Sequence, residues 1–185
     1  MTDFEAILDF WFAGDPSAQR AVWFQKSDAF DAGCRAFLDR HEAAKRGELD
    51  RWADTAEGAL ALLILLDQLS RNLHRGSPET FAADAKARAI ATAAIDRGFD
   101  RALTPVQRMF VYLPFEHSED LADQARSVAL FETIRSDLGD RTVDYAARHR
   151  DVIARFGRFP HRNAVLGRVN TQAEADYLAQ PGSGF

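Results

Sequence analysis

The chain has 185 residues, of which 46% are hydrophobic and 28% are charged, and its formal net charge is -5. This length and composition predict one globular domain over residues 1–185 and argue against a disordered chain. The acidic balance argues against a general binder of nucleic acid or anionic membranes, so we expect neither partner.

The first residues and the cysteine content bear on cellular location. The start, MTDFEAILDFWF, is acidic where a secretory signal would be basic. Cys34 is the only cysteine, which excludes an internal disulfide. The longest strongly apolar run, residues 59–66, is far shorter than the about 20 residues of a membrane-spanning helix. We therefore expect a soluble, cytoplasmic protein.

Signals for helix starts and ends recur along the chain, whereas the alternating patterns typical of strands do not. Capping-box spacing occurs in Thr2 with Glu5, Asp54 with Glu57, Thr104 with Gln107, and Thr171 with Glu174. Left-handed helix ends are predicted at Gly47, Gly98, Gly139 and Gly157. The fold is predicted to be all-α, with helices near residues 3–12, 16–46 with a break, 55–73, 84–97, 105–113, 119–138, 142–156 and 172–179.

One helix combines an apolar and a polar half. The stretch ALALLILLDQLSRN is apolar on nearly every side through Leu66, which predicts a central, fully surrounded helix. Four polar residues then follow without a loop: Asp67, Gln68, Arg71 and Asn72. Asp67 and Arg71 are four residues apart and can pair along one face. We expect this helix to carry polar side chains from the core into a cleft or a packed network.

A second polar segment is YLPFEHSED, residues 112–120. Pro114 is predicted to end the preceding helix, and Ser118 is predicted to cap the next one. Capping leaves Glu116 and His117 without an assigned role.

The third polar segment is strongly basic. Residues 148–168 contain six arginines and one aspartate, a local charge of +5 in an acidic chain. Gly157 and Pro160 predict a tight corner, with Phe156 and Phe159 as core anchors. Arginine forks held in fixed geometry suit a carboxylate or a phosphate. We expect this corner to meet Arg71 and His117 in space.

Three interpretations of the arginines remain open from the sequence. They form a salt-bridge network with the acidic remainder of the chain, an anion-binding cleft, or a nucleic-acid contact. A metal site would need His117, Glu119, His149 and His161 to converge, and their spacing does not favour it, so no metal is predicted. No glycine-rich phosphate loop is present, and no cofactor is predicted.

The three polar segments carry a family resemblance. DQLSRNLHRG with FAAD, MFVYLPFEHSEDLADQ and HRDVIARFGRFPHRNAVLGR resemble an uncharacterised bacterial family, domain of unknown function 924. The resemblance implies a single irregular helical domain of antiparallel helix pairs, similar to a tetratricopeptide-repeat array. It also implies a shared polar site, formed by Gln68, Arg71, Asn72, His117, Glu119, His149, Arg155, Arg158, His161, Arg162 and Asn163.

The leading functional hypothesis is a binding protein for a small anionic molecule or an acidic peptide end. Arg158 and Arg162 are the expected primary contacts, Arg71 is a second cation, and His117 or His161 donates hydrogen bonds. The alternative is an enzyme with His117 or His161 as general acid or base and Glu119 as a further catalytic candidate. A third hypothesis is a scaffold for protein–protein interaction.

Overall fold

The computed structural model describes residues 3–184, and within that range its regular structure is helical, with no strand. The all-α prediction is therefore confirmed. The α-helices are α1 (Glu5–Phe12), α2 (Asp28–Cys34), α3 (Leu38–Arg46), α4 (Ala56–Leu63), α5 (Ser70–Leu73), α6 (Asp84–Asp96), α7 (Pro105–Glu116), α8 (Leu121–Glu132), α9 (Arg135–Leu138), α10 (Asp140–Phe156) and α11 (Gln172–Leu178).

Local capping explains several helix boundaries. The capping boxes at Thr104 and Thr171 are both formed, and Pro105 opens α7. Gly47 and Gly157 end α3 and α10 in left-handed geometry, with φ of 86° and 69°. These predictions depended on side chains within three or four residues of the boundary and are confirmed.

Other predicted boundaries were wrong. The helix predicted over residues 16–46 with a break begins only at α2, because residues 16–27 contain no α-helix and only a 3-10 turn at Ala21–Trp23. The break itself is present, as a 3-10 turn at Arg35–Phe37 between α2 and α3. Near the start of residues 16–27, Asp15 accepts a hydrogen bond from the Ser17 backbone within a local turn. Thr55, not Asp54, caps α4. The predicted pair of Thr2 with Glu5 includes a residue outside the described range.

The second polar segment also differs from prediction. Pro114 lies inside the last turn of α7, and the helix ends only two residues later, at Glu116. Asp120 caps α8, while Ser118 accepts a hydrogen bond from the Asp120 backbone.

The core surrounds the predicted central helix. Residues 59–70 are all buried, which confirms that prediction. Helices α4 and α7 also contact each other and α6. Trp11, Trp23 and Phe110 pack their rings on one side, with centroids 4.9–6.0 Å apart. Among residues 3–184, no helix is both long enough and apolar enough to cross a bilayer.

A smaller apolar cluster positions the arginine corner. Val152, Ile153 and Phe159 are buried, and the half-buried Phe156 and Tyr177 pack against them. Phe159 is fully buried, so its anchoring role is confirmed. The corner is therefore attached to α10 and α11 by apolar contacts.

Candidate functional site

A π-helical turn positions the first polar residues of the site. Between α4 and α5 the helix widens into a π-helix over Ile64–Leu69. Asp67 lies in this turn and is fully buried, and it accepts a 2.6 Å hydrogen bond from the Gln68 amide. π-helical turns are rare and often occur at functional sites.

His117 joins this turn from another helix. It is the C-cap residue of α7, and its Nδ1 lies 2.7 Å from Asp67 Oδ1. The imidazole is 14% exposed, whereas the carboxylate is almost wholly buried. Because Asp67 holds Nδ1–H, Nε2 is the ring nitrogen left for a ligand or for proton transfer.

Arg71 compensates the buried carboxylate. Its guanidinium lies 3.2 Å from Asp67 Oδ1, which confirms the predicted pairing, and it also forms a two-pronged ion pair with Asp84. Burial alone raises the pKa of Asp67, but Arg71 and His117 together hold that pKa well below its usual range. Asp67 is therefore ionised at neutral pH.

Arg162 reaches the same place from the corner. A 3-10 turn at Pro160–Arg162 directs its guanidinium to the carbonyl oxygen of His117, at 2.9 Å, and to Asp84, at 3.5 Å. Phe81 and Phe159 lie against the guanidinium with ring centroids 4.5 and 4.6 Å away. The corner thus meets His117, as predicted.

The buried guanidinium of Arg162 is incompletely satisfied. Its Nε is buried and finds no hydrogen-bond acceptor among residues 3–184. Burial and the nearby Arg71 lower the pKa of Arg162 to about 10, so it remains charged at pH 7. A buried donor without an acceptor costs free energy.

The surrounding imidazoles are neutral at pH 7. Burial and Arg71 lower the pKa of His117, and burial and Arg162 lower that of His161 to about 4. The pKa of His149 falls to about 3, chiefly through burial. The remaining charges are two arginines and two aspartates, which balance each other.

Glu116 adds a protonated acid beside these groups. It is buried, and burial together with the Asp67 charge raises its pKa to about 8. His149 Nδ1 lies 3.6 Å from Glu116 Oε1 and donates to the Tyr145 carbonyl at 2.9 Å. His149 therefore adjoins the cluster through Glu116.

Two predicted arginines lie elsewhere. Arg158 forms a two-pronged ion pair with the buried Glu174, with distances of 2.6 and 2.8 Å. Arg155 is exposed, and its guanidinium lies over the Phe156 ring. Both arginines line a surface groove of about 580 Å³. Arg158 as a primary anion contact stays a prediction, and this geometry disfavours it, because Glu174 already accepts hydrogen bonds from two of its nitrogens.

Other predicted residues hold the corner in shape. Glu119 accepts hydrogen bonds from the Phe159 backbone and from both terminal nitrogens of Arg168. Asn163 accepts from Arg168 and donates to Asn170. Glu119 therefore has no oxygen left without a partner, which argues against its candidacy as a catalytic residue.

Asn72 faces away from the cluster. It donates to Asp31 at 2.7 Å, and Asp31 also pairs with Arg75. The network thus brings together Gln68, Arg71, His117 and Arg162, with His149 and His161 beside them.

Sequence reasoning missed the acid that connects the two arginines. Asp84 is the first residue of α6, where the predicted helix near residues 84–97 also begins. It pairs with Arg71 and Arg162. The sequence feature that could have identified Asp84 as a site residue is its position in FAAD, one of the segments that carry the family resemblance.

Fold and site together define an all-helical protein with a buried, charge-balanced cluster of aspartate, histidine and arginine. The chain belongs to the family described as bacterial protein of unknown function (DUF924), whose model matches residues 7–182. It is similar to a solved structure of a protein of unknown function from Agrobacterium tumefaciens. The two are 45% identical with a TM-score of 0.86, over 95% of this chain and 96% of the other. No curated protein matches the chain.

The family description includes no activity. Ligand binding, catalysis, the scaffold role, the cytoplasmic location and the tetratricopeptide-like arrangement therefore stay predictions.

Proposed function

We propose that this protein binds a small molecule bearing a carboxylate or phosphate at Arg162, with His117 and His161 as hydrogen-bond donors. The observation that carries the proposal is the buried Arg162 Nε, which lacks an acceptor among the described residues. Phe81 and Phe159 restrict the guanidinium plane, so an anion meets donors of fixed geometry.

Charge balance makes the binding dependent on pH. Arg71 and Arg162 are already balanced by Asp67 and Asp84. His117 uses Nδ1–H on Asp67, so its Nε2 donates to an anion only when the ring gains a proton. Binding therefore takes up a proton, and a carboxylate ligand binds more tightly as the pH is lowered toward the depressed pKa of His117.

A thermal-shift panel of carboxylated and phosphorylated metabolites tests this proposal. A ligand at 100 times its Kd raises the wild-type melting temperature by about 5–10 °C. Arg162→Gln removes that response. Arg155→Gln, an exposed arginine of the same basic segment, is the matched control and retains it.

Arg158→Gln separates binding from structural support. This variant is expected to melt at a lower temperature, because Glu174 loses its partner, yet to keep the ligand response. If no anion shifts the wild type, or if Arg158→Gln abolishes the response while Arg162→Gln keeps it, the proposed site is wrong.

A second candidate function has its own observation. The 2.7 Å contact between Asp67 and His117 is the arrangement by which a carboxylate orients an imidazole as general base. The pKa of His117 lies below its usual value, so the ring is a neutral base at pH 7. Arg162 is placed to stabilise negative charge that develops beside it.

Hydrolysis of ester and phosphoester panels tests the catalytic candidate. His117→Gln is expected to abolish turnover, and Asp67→Asn to lower kcat while moving the pH profile. Equal turnover in the wild type and in His117→Gln would exclude His117 as the base.

A further inference from the structure

A second group of histidines lies outside the candidate site. His41, Glu42 and His74 each offer one ligand atom, and these atoms all lie within 4.8 Å of one another. Sequence reasoning selected none of the three as a metal ligand. We infer that they hold a divalent transition-metal ion, for which Zn²⁺ is the reference ion. Two imidazoles and one carboxylate form a ligand set that Zn²⁺ prefers, with a fourth position for water.

His41 is oriented as a metal ligand. It is fully buried, and its Nδ1 donates to the carbonyl oxygen of Leu65 at 2.9 Å. That bond leaves the lone pair on Nε2, which faces the Ser70 hydroxyl at 3.5 Å and lies 3.8 Å from Glu42 Oε1. A metal ion would replace this long contact with Ser70. A backbone carbonyl that fixes the second ring nitrogen is typical of metal-binding histidines.

His74 provides an independent observation. Its ring centroid lies 5.3 Å from that of His41. Its Nε2 is buried and has no hydrogen-bond partner within the described part of the chain. Its backbone is held on both sides, because its N–H donates to Ser70 and its carbonyl accepts from Thr80. A buried, unsatisfied ring nitrogen next to a second histidine indicates a missing partner.

The ammonium group of Lys45 would compete with a metal ion for the Glu42 carboxylate. Its ammonium lies 3.3 Å from Glu42 and 3.0 Å from Glu79. Ligand atoms of a tetrahedral zinc ion are about 3.4 Å apart, so the group must contract slightly on binding. The Glu42 side chain is 38% exposed and can rotate to do so. The ion would connect α3 to the end of α5.

Calorimetric titration of the chelator-treated, full-length protein with ZnCl₂ tests the inference. The wild type is expected to bind one Zn²⁺ per chain and to melt at a higher temperature when loaded. Glu42→Gln and His74→Gln are expected to weaken binding more than tenfold. These two variants are preferred to His41→Gln because His41 is fully buried and bonded to Leu65. Circular dichroism verifies that they fold.

Two further variants locate the ion. Lys45→Gln removes the competing ammonium and is expected to tighten Zn²⁺ binding, which a purely structural role of Lys45 would not produce. His117→Gln changes the other histidine cluster and is expected to bind Zn²⁺ as the wild type does. Wild-type affinity in His74→Gln, or loss of binding in His117→Gln alone, would overturn the assignment.

Discussion

At the scale of single residues, the fold supplies partners for most of the arginine charge. Arg158 pairs with Glu174, Arg168 with Glu119, and Arg71 with Asp84. Glu174 and Glu119 lie outside the basic segment at residues 148–168, and Asp84 lies 13 residues from Arg71 in the sequence. The salt-bridge interpretation therefore accounts for much of the cluster, and Arg162 is the residue that carries the ligand hypothesis.

Asp67 is predicted to be the most sensitive polar residue of the cluster. Asp67→Asn removes the charge that faces Arg71 and His117 without changing the side-chain size. Removing one partner of a buried ion pair costs about 3–5 kcal/mol, because the remaining charge stays buried. Urea unfolding at pH 7 measures this loss. Asp9→Asn, at an exposed position of α1, should stay within about 0.5 kcal/mol of the wild type.

At the scale of elements, the central helix couples core packing to the site. Its apolar part anchors the π-helical turn, and that turn positions Asp67 opposite His117. Leu63 is fully buried immediately before the turn. Loss of packing there is therefore expected to affect both the stability of the fold and the geometry of the polar cluster.

Leu63→Ala should lower the free energy of unfolding by about 2–5 kcal/mol, through lost burial and the cavity that remains. The urea midpoint provides the measurement. Leu121→Ala is the matched control, because Leu121 is 50% exposed at the start of α8. Equal midpoints for these two variants would contradict the assignment of α4 and its continuation as the core.

The N-terminus of α7 offers a second test at this scale. Thr104 accepts from Gln107 in the capping box and donates to the Pro16 carbonyl at 2.6 Å. Thr104→Ala should cost about 1 kcal/mol or somewhat more. Thr104→Ser keeps the hydroxyl and should recover most of that loss. A serine variant as unstable as the alanine variant would assign the effect to the methyl group instead.

At the scale of the whole molecule, stability should peak between about pH 6.5 and pH 7. The folded-state pKa values of His41, His117, His149 and His161 all lie below their ordinary value. The unfolded chain takes up protons at these rings below about pH 6.5, so stability falls as the solution is acidified. Glu116 acts oppositely, because its folded pKa of about 8 lies above the unfolded value.

Between about pH 4.5 and pH 8 the folded chain keeps a proton on Glu116 that the unfolded chain releases, so this residue lowers stability as pH rises. Below about pH 6.5 the histidines outweigh it, and above about pH 7 Glu116 dominates, because the unfolded histidines are then mostly neutral. Urea midpoints at pH 5, 7 and 8.5 should show the maximum. Glu116→Gln should reduce the decline from pH 7 to 8.5, whereas Glu57→Gln, at an exposed position, should not. A pH profile of Glu116→Gln identical to that of the wild type would contradict the protonated Glu116.

The sequence by itself determined the helical class, the capped starts of α7 and α11, the glycine ends of α3 and α10, and the buried central helix. These features depend on interactions within a few residues, or on the apolar period of one helix, and both are visible in the order of residues. The sequence also predicted that Arg71, His117 and the corner containing Arg162 meet, because their three polar segments are isolated from one another along the chain. Gln68 joined that set only through the family resemblance.

Only the tertiary structure decided how the charges pair. Arg158 and Arg162 are four residues apart, yet one faces Glu174 and the other faces Asp84 and the carbonyl oxygen of His117. Which partner each arginine contacts depends on how the corner packs against α10 and α11, because that packing points the two side chains toward different, sequence-distant parts of the chain. The π-helical turn at Asp67 likewise leaves no local signature. An ion pair forms where packing brings opposite charges within about 4 Å, and sequence proximity does not specify that distance.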